Sequence, residues 1–176
     1  MDYRLERWIN GPAGHTPALD ALMRLAAGWA EPLFNALVVG WFLVGWWRGQ
    51  ARDRQGAITA GLAAVLALLV NQAITHLWTR PRPFVAHPAA VHLLLAHSTD
   101  PSFPSDHAAP AFAIAVVLFG VHRRLGLLAL CLAVLMSYAR VYVGDHYPAD
   151  VAAGALIGTA AALLGLLFWL HLPLPA

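Results

Sequence analysis

No lysine occurs among the 176 residues, and cysteine occurs once. A lone cysteine, Cys131, excludes an internal disulfide, and from its place inside an apolar run it is expected to be a small core residue. Charge is scarce in both signs: eleven basic residues, all arginine, stand against nine acids, and 11% of the chain is charged. So small a surplus gives a nucleic-acid backbone little to bind, and no nucleic-acid partner is expected. An HExxH run and paired cysteines are also missing, which removes the commonest metal signatures. The opening stretch, Met1 to His15, carries Arg4, Glu6, Arg7 and Trp8 without an apolar core ahead of a cleavage site. A removable signal peptide is therefore not expected.

What remains is overwhelmingly apolar. Sixty per cent of the residues are hydrophobic and the mean hydropathy is +0.62, values that belong to an integral membrane protein. A spanning helix needs about 20 mainly apolar residues. Expected spans are Pro32 to Trp47, Gly56 to Trp78, Asp106 to Val121, Leu125 to Val143 and Pro148 to Leu172. A weaker segment, Pro17 to Ala30, carries Asp20 and Arg24 four residues apart, and either spans or lies at the interface. The expected fold is all-α: a polytopic bundle of about six transmembrane helices forming a single domain over residues 1–176.

Arginine placement orients the bundle, because cytoplasmic loops carry excess positive charge. Arg48, Arg52 and Arg54 fill one turn and Arg123 and Arg124 another, so those turns are expected on the cytoplasmic side. The opposite side keeps Arg80, Arg82 and Arg140. These three defy the orientation rule, and all sit in polar islands: Arg80 to Phe84, Pro101 to His107, and Ala139 to Val151. Ionisable groups in such a setting are costly and point to function.

Each island suggests a chemistry. Pro104-Ser105-Asp106-His107 offers a hydroxyl N-cap and free backbone N–H groups at a helix start, a cradle for an anion. His146 and Asp150 are four apart around the start of the last span, so a carboxylate could hold the imidazole by one nitrogen and leave the other to attack. Arg82 and Arg140 could grip phosphate oxygens in the forked geometry that lysine lacks. Together they indicate phosphoryl transfer through a histidine. Plainer readings stand beside this one: Ser-Asp-His as ordinary capping, and His146 with Asp150 as a structural hydrogen-bonded pair. A metal site built from Asp106, His107, His146 and Asp150 is a sharper rival, opposed by three nearby arginines that would repel a dication.

In order, the islands resemble the three signatures of the type 2 phosphatidic acid phosphatase superfamily, lipid phosphate phosphatases that share a helical core with vanadium haloperoxidases. The third signature, Ser-Arg-x5-His-x3-Asp, matches at Arg140, His146 and Asp150, with Ala139 in place of serine. The second, Pro-Ser-Gly-His, matches at Pro104, Ser105 and His107, with Asp106 in place of glycine. The first, Lys-x6-Arg-Pro, matches at Arg82 and Pro83, while Thr75 holds the lysine position. The Pro-Ser-Asp-His variant and the missing lysine resemble the undecaprenyl-diphosphatase branch.

That resemblance implies hydrolysis of undecaprenyl diphosphate, with a polyprenyl diphosphate lipid as substrate, no cofactor and no metal, at the outer face of the bacterial inner membrane. It implies His146 as nucleophile, Asp150 as the group that holds its tautomer, and His107 as acid and then base. Arg82, Arg140, Ser105 and the N–H groups near Asp106 and His107 would bind phosphate oxygens. Arg80, two residues before Arg82, is the expected substitute for the missing lysine in holding the second phosphate. His87, His92 and His97 are expected to be loop residues, and Trp41, Trp46, Trp47, Trp78 and Trp169 an interfacial belt. Another lipid phosphate as substrate, or a non-enzymatic membrane protein on the same core, are the alternatives.

Overall fold

The structure, a computed structural model, describes residues 1–96 and 99–171. His97 and Leu172 lie outside the described residues. The chain forms α1 (Asp2–Asn10), α2 (Pro17–Trp47), α3 (Ala51–Leu77), α4 (Pro83–Ala86), α5 (Ala108–Val121), α6 (Arg123–Tyr142) and α7 (Pro148–His171). Among the described residues there is no strand. Prolines open α2, α4 and α7, where a missing N–H costs nothing and a fixed φ suits the first turn.

The two segments expected at Pro17 to Ala30 and Pro32 to Trp47 are one helix. Pro32 removes a hydrogen bond from the middle of α2 and bends it by 48° instead of ending it. Thirty-one residues rise about 46 Å, enough for one crossing rather than two. Three further helices, α3, α6 and α7, are long and apolar enough to span, whereas α5 is a shorter apolar helix of 14 residues. The all-helical membrane bundle is thus as expected, with up to four helices of spanning length among the described residues beside the shorter α5.

Helix α5 forms the centre. Nine of its residues are buried, from Ala108 to Val121, and it packs against α3, α6 and α7. Without a hydrophobic drive between helices in lipid, close contact depends on small side chains. Gly158 of α7 shows how close: a Cβ there would lie 2.0 Å from the Ala109 carbonyl oxygen. The outer faces of α3, α6 and α7 carry exposed leucines, as a lipid-facing surface requires.

Helix α1 docks on the same end of the bundle as the three islands. Asn10 donates through Nδ2 to the carbonyls of His92 (2.9 Å) and Tyr142 (2.8 Å) and accepts from the His92 N–H (2.8 Å). One turn back, Glu6 is fully buried, and neither carboxyl oxygen has a hydrogen-bond partner among the described residues. Burial pushes its carboxyl up from 4.5 to about 7, helped by Asp2 and opposed by Arg7. The folded chain then binds this proton more tightly than the unfolded chain, so stability is lost as pH rises from 4.5 through about 7. Glu6→Gln is expected to melt higher than the wild type above pH 7 and alike near pH 4.5. A difference in melting midpoint that does not change with pH would contradict this.

Candidate active site

The loop between α6 and α7 carries the third island, and its tight path depends on Gly144. That residue has φ +82°, and a Cβ would meet the His92 carbonyl at 2.8 Å, so glycine is required there on both counts. The next residues, Asp145 and His146, are turned inward and buried.

His146 is fully buried, and burial holds its imidazole below its ordinary value, with Arg82 and Arg140 acting in the same sense against Asp150 and Asp145. Its Nδ1 donates to the Ser102 carbonyl at 3.0 Å, which fixes the tautomer and leaves the lone pair on Nε2. Arg82 Nη1 stands 3.2 Å from that Nε2. Asp150 lies farther from the ring than expected: its Oδ2 is 3.7 Å from Nδ1 and accepts instead from Ser102 Oγ (2.5 Å) and the Tyr147 N–H (2.8 Å). The carboxylate reaches the imidazole chiefly through Ser102.

Arg82 is wholly buried and uses every nitrogen. Nε and Nη2 donate to the backbone and carboxylate of Asp100, both at 3.1 Å, while Nη1 meets Asp145 Oδ1 at 2.8 Å. Arg140 pairs with the other oxygen of Asp145 and donates to the Ala27 carbonyl, one turn before the bend in α2, at 3.4 Å. Asp145 thus ties two guanidinium groups together within 3.6 Å of His146 Nε2. Those two cations stand beside His146 Nε2, where an anion could take up their donors.

Across from it, the His107 ring stands edge-on to His146 with centroids 6.0 Å apart. Its Nδ1 donates to Asp106 at 2.9 Å, and its Nε2 is 3.7 Å from Glu31. Burial pushes the Asp106 carboxyl up, but the hydrogen bond and charge of His107, with His146 and Arg82, outweigh this and hold it below the usual range. Asp106, His107 and His146 offer ligand atoms within 4.8 Å of one another, a spacing that a metal ion could bridge. The Arg82 guanidinium on His146 Nε2 sets a fixed positive charge against that use.

In the second island the helix starts later than its spacing suggests. Helix α5 starts at Ala108, with His107 at the cap position, and Ser105 Oγ accepts from the Ala108 N–H at 3.3 Å. Ser105 is buried and its backbone is held from two sides, by the Asp150 carbonyl (3.0 Å) and Asn71 Nδ2 (3.0 Å). Thr75, at the lysine position, donates to the Phe103 carbonyl at 3.2 Å.

Arg80 stands beside the third island. Nη1 donates to Asp150 Oδ1 and Nη2 to Asp2 Oδ2, both at 2.7 Å, and its carbon Cζ lies 3.8 Å over the Tyr147 ring. Two carboxylates hold its terminal nitrogens, one of them the buried Asp150. His76 is exposed, and His87 and His92 are loop residues, the first stacked on Tyr3 and the second edge-on to His15. Ser102, Asp145, Asp100 and Glu31 were not singled out by motif spacing. Their signal was polarity inside or beside apolar runs, most visibly in Gly144-Asp145-His146.

A groove of about 480 Å³ leads away from Asp106 and His107 between α2, α3 and α5, walled by Val38, Val65, Leu68 and Ile114. Its polar end carries Glu31, Asp106 and His107, and most of the rest of its wall is apolar. A family model described as the PAP2 superfamily matches residues 56–172. The chain is 35% identical over 169 residues to undecaprenyl-diphosphatase BcrC of Bacillus subtilis (strain 168), covering 96% of this chain and 83% of that protein. The crystal structure of Aquifex aeolicus LpxE superposes with a TM-score of 0.79 at 28% identity, covering 94% of each chain. The PAP2 type phosphatidylglycerolphosphate phosphatase of Bacillus subtilis shares the fold, with a TM-score of 0.65 at 21% identity over 97% of this chain and 87% of its own.

Proposed function

The chain belongs to the PAP2 superfamily and is a multi-pass phosphatase of membrane lipid phosphates, and from that premise we propose that it hydrolyses undecaprenyl diphosphate to undecaprenyl phosphate and inorganic phosphate. The observation that carries the chemistry is the buried His146, with its Nε2 beside Arg82 and facing His107. The name of the Bacillus subtilis relative, the Thr75 substitution and the apolar groove support the lipid.

In this reading the terminal phosphate takes up the donors of Arg82 and Arg140, which draws Arg82 Nη1 off the nucleophilic lone pair. Nε2 of His146 attacks phosphorus, and the bond to the bridging oxygen breaks. His107 protonates the departing lipid phosphate. His107 then takes a proton from the water that cleaves the phosphohistidine, releasing inorganic phosphate and restoring both imidazoles. Arg82, Arg140, Ser105 and the N–H groups near Asp106 and His107 stabilise the equatorial oxygens, where phosphoryl transfer gains most from fixed donors. Asp150 steadies the developing imidazolium through Ser102. Asp106 orients His107 through its Nδ1.

The arginine-rich turns stand at the other end of the bundle from this site. There Arg52 donates to the Val121 carbonyl, and Asp53 meets His122 at 2.6 Å. If those turns face the cytoplasm, the site opens on the outer side of a bacterial plasma membrane. Phosphate release by the purified protein in detergent, with EDTA present, tests the proposal. Undecaprenyl diphosphate is expected to turn over faster than phosphatidate. Faster phosphatidate turnover would move the substrate to glycerolipids and keep the chemistry, and no turnover of either would defeat it.

A further inference from the structure

We infer that Asp2, on the N-terminal helix and outside the family-matched residues 56–172, is a positioning residue that aims the active-site carboxylate Asp150 through Arg80. The inference rests on the reading of His146 as nucleophile. Asp150 is fully buried and its two oxygens have different tasks. Oδ2 receives Ser102 Oγ and the Tyr147 N–H, the groups that set the loop around His146, while Oδ1 receives Arg80 Nη1. The direction of the carboxylate therefore depends on where Arg80 is held.

Arg80 is a quarter exposed and belongs to a loop, so its long side chain has freedom to lose. Two contacts remove it. The Tyr147 ring lies 3.8 Å from the guanidinium carbon, and Asp2 Oδ2 holds Nη2 at 2.7 Å while Asp150 holds Nη1. The other oxygen of Asp2 accepts the Ala149 N–H at 3.0 Å, in the first turn of α7 and immediately before Asp150. One carboxylate thus grips both the arginine and the backbone that carry Asp150. Asn10 anchors the far end of the same helix to the His92 and Tyr142 carbonyls.

The experiment is a double-mutant cycle in the full-length protein on undecaprenyl diphosphate, with Asp2→Asn, Arg80→Gln and the pair, and melting midpoints measured alongside. Asp2→Asn is expected to lower kcat about tenfold with KM little changed, as a misaimed group does. In the Arg80→Gln background the same change is expected to cost nothing further, because both act along one path. Asp2→Glu should recover much of the loss. Losses that multiply, or a rise in KM with kcat intact, would overturn the inference. So would an equal loss of kcat in Asn10→Ala, which loosens α1 without touching Arg80 and covers the case in which Asp2→Asn merely undocks the helix. Wild-type protein inactive on every lipid phosphate would defeat the reading of His146. Active wild type with multiplying losses would defeat the role of Asp2 alone.

Discussion

Replacing His146 by alanine is expected to abolish phosphate release, with kcat reduced at least about ten-thousandfold, because the covalent route disappears along with the nucleophile. The fold should tolerate the change better than the chemistry, since Asp145 still bridges Arg82 and Arg140. Wild-type protein quenched during turnover of labelled substrate should carry acid-labile, base-stable phosphate, and His146→Ala should carry none. The pH profile supplies a second measurement. Burial holds His146 below the ordinary imidazole value of 6.5, so the neutral nucleophile persists on acidification past the point where a solvent-exposed histidine would be protonated. The acid limb of kcat/KM is therefore expected below pH 6.5, if His146 sets it. Labelled phosphoenzyme in His146→Ala would move the nucleophile elsewhere.

The motif residues were legible in the sequence because their spacing is local. His146 and Asp150 flank one helix start, Ser105 and His107 another, and Arg82 follows a proline-rich break, so each island announces itself against apolar surroundings. What joined the islands was not legible. Ser102 stands between Asp150 and His146, a contact across more than 40 residues that no periodicity encodes. Asp145 was visible as a charge beside His146, but that it ties Arg82 to Arg140 depends on how three elements meet. That Pro32 bends one helix instead of separating two was illegible for a related reason. Proline weakens a helix locally, and whether the chain stops or bends depends on the packing around it; here α2 continues against α3 and α6. The partners of Arg80 were equally illegible: it stands two residues from Arg82, yet it is held by Asp150 and Asp2, 70 and 78 residues away along the chain.

Arg82→Lys isolates geometry from charge. The lysine would keep the positive charge, so any effect of net electrostatics on substrate capture is preserved and KM should change little. It cannot reproduce the fork: Arg82 reaches Asp100 through Nε and Nη2 while presenting Nη1 to Asp145 and His146, and a single ammonium cannot stand in all of these positions. The group misplaced is the one nearest the attacking nitrogen, where donors aimed at developing charge count most. Losing one such donor lowers kcat by roughly a hundredfold to a thousandfold. The same fall is therefore expected for Arg82→Lys, measured as phosphate release under saturating lipid. Asp145→Asn offers the contrast, since it leaves Arg82 and Arg140 chemically intact while weakening the tie between them and removing a negative charge beside His146. A kcat for Arg82→Lys within about threefold of the wild type would show that charge near His146 suffices and that the fork is dispensable. The opposite result would make the buried guanidinium, held by Asp100 from behind, the chief fixed donor to the transferring phosphate.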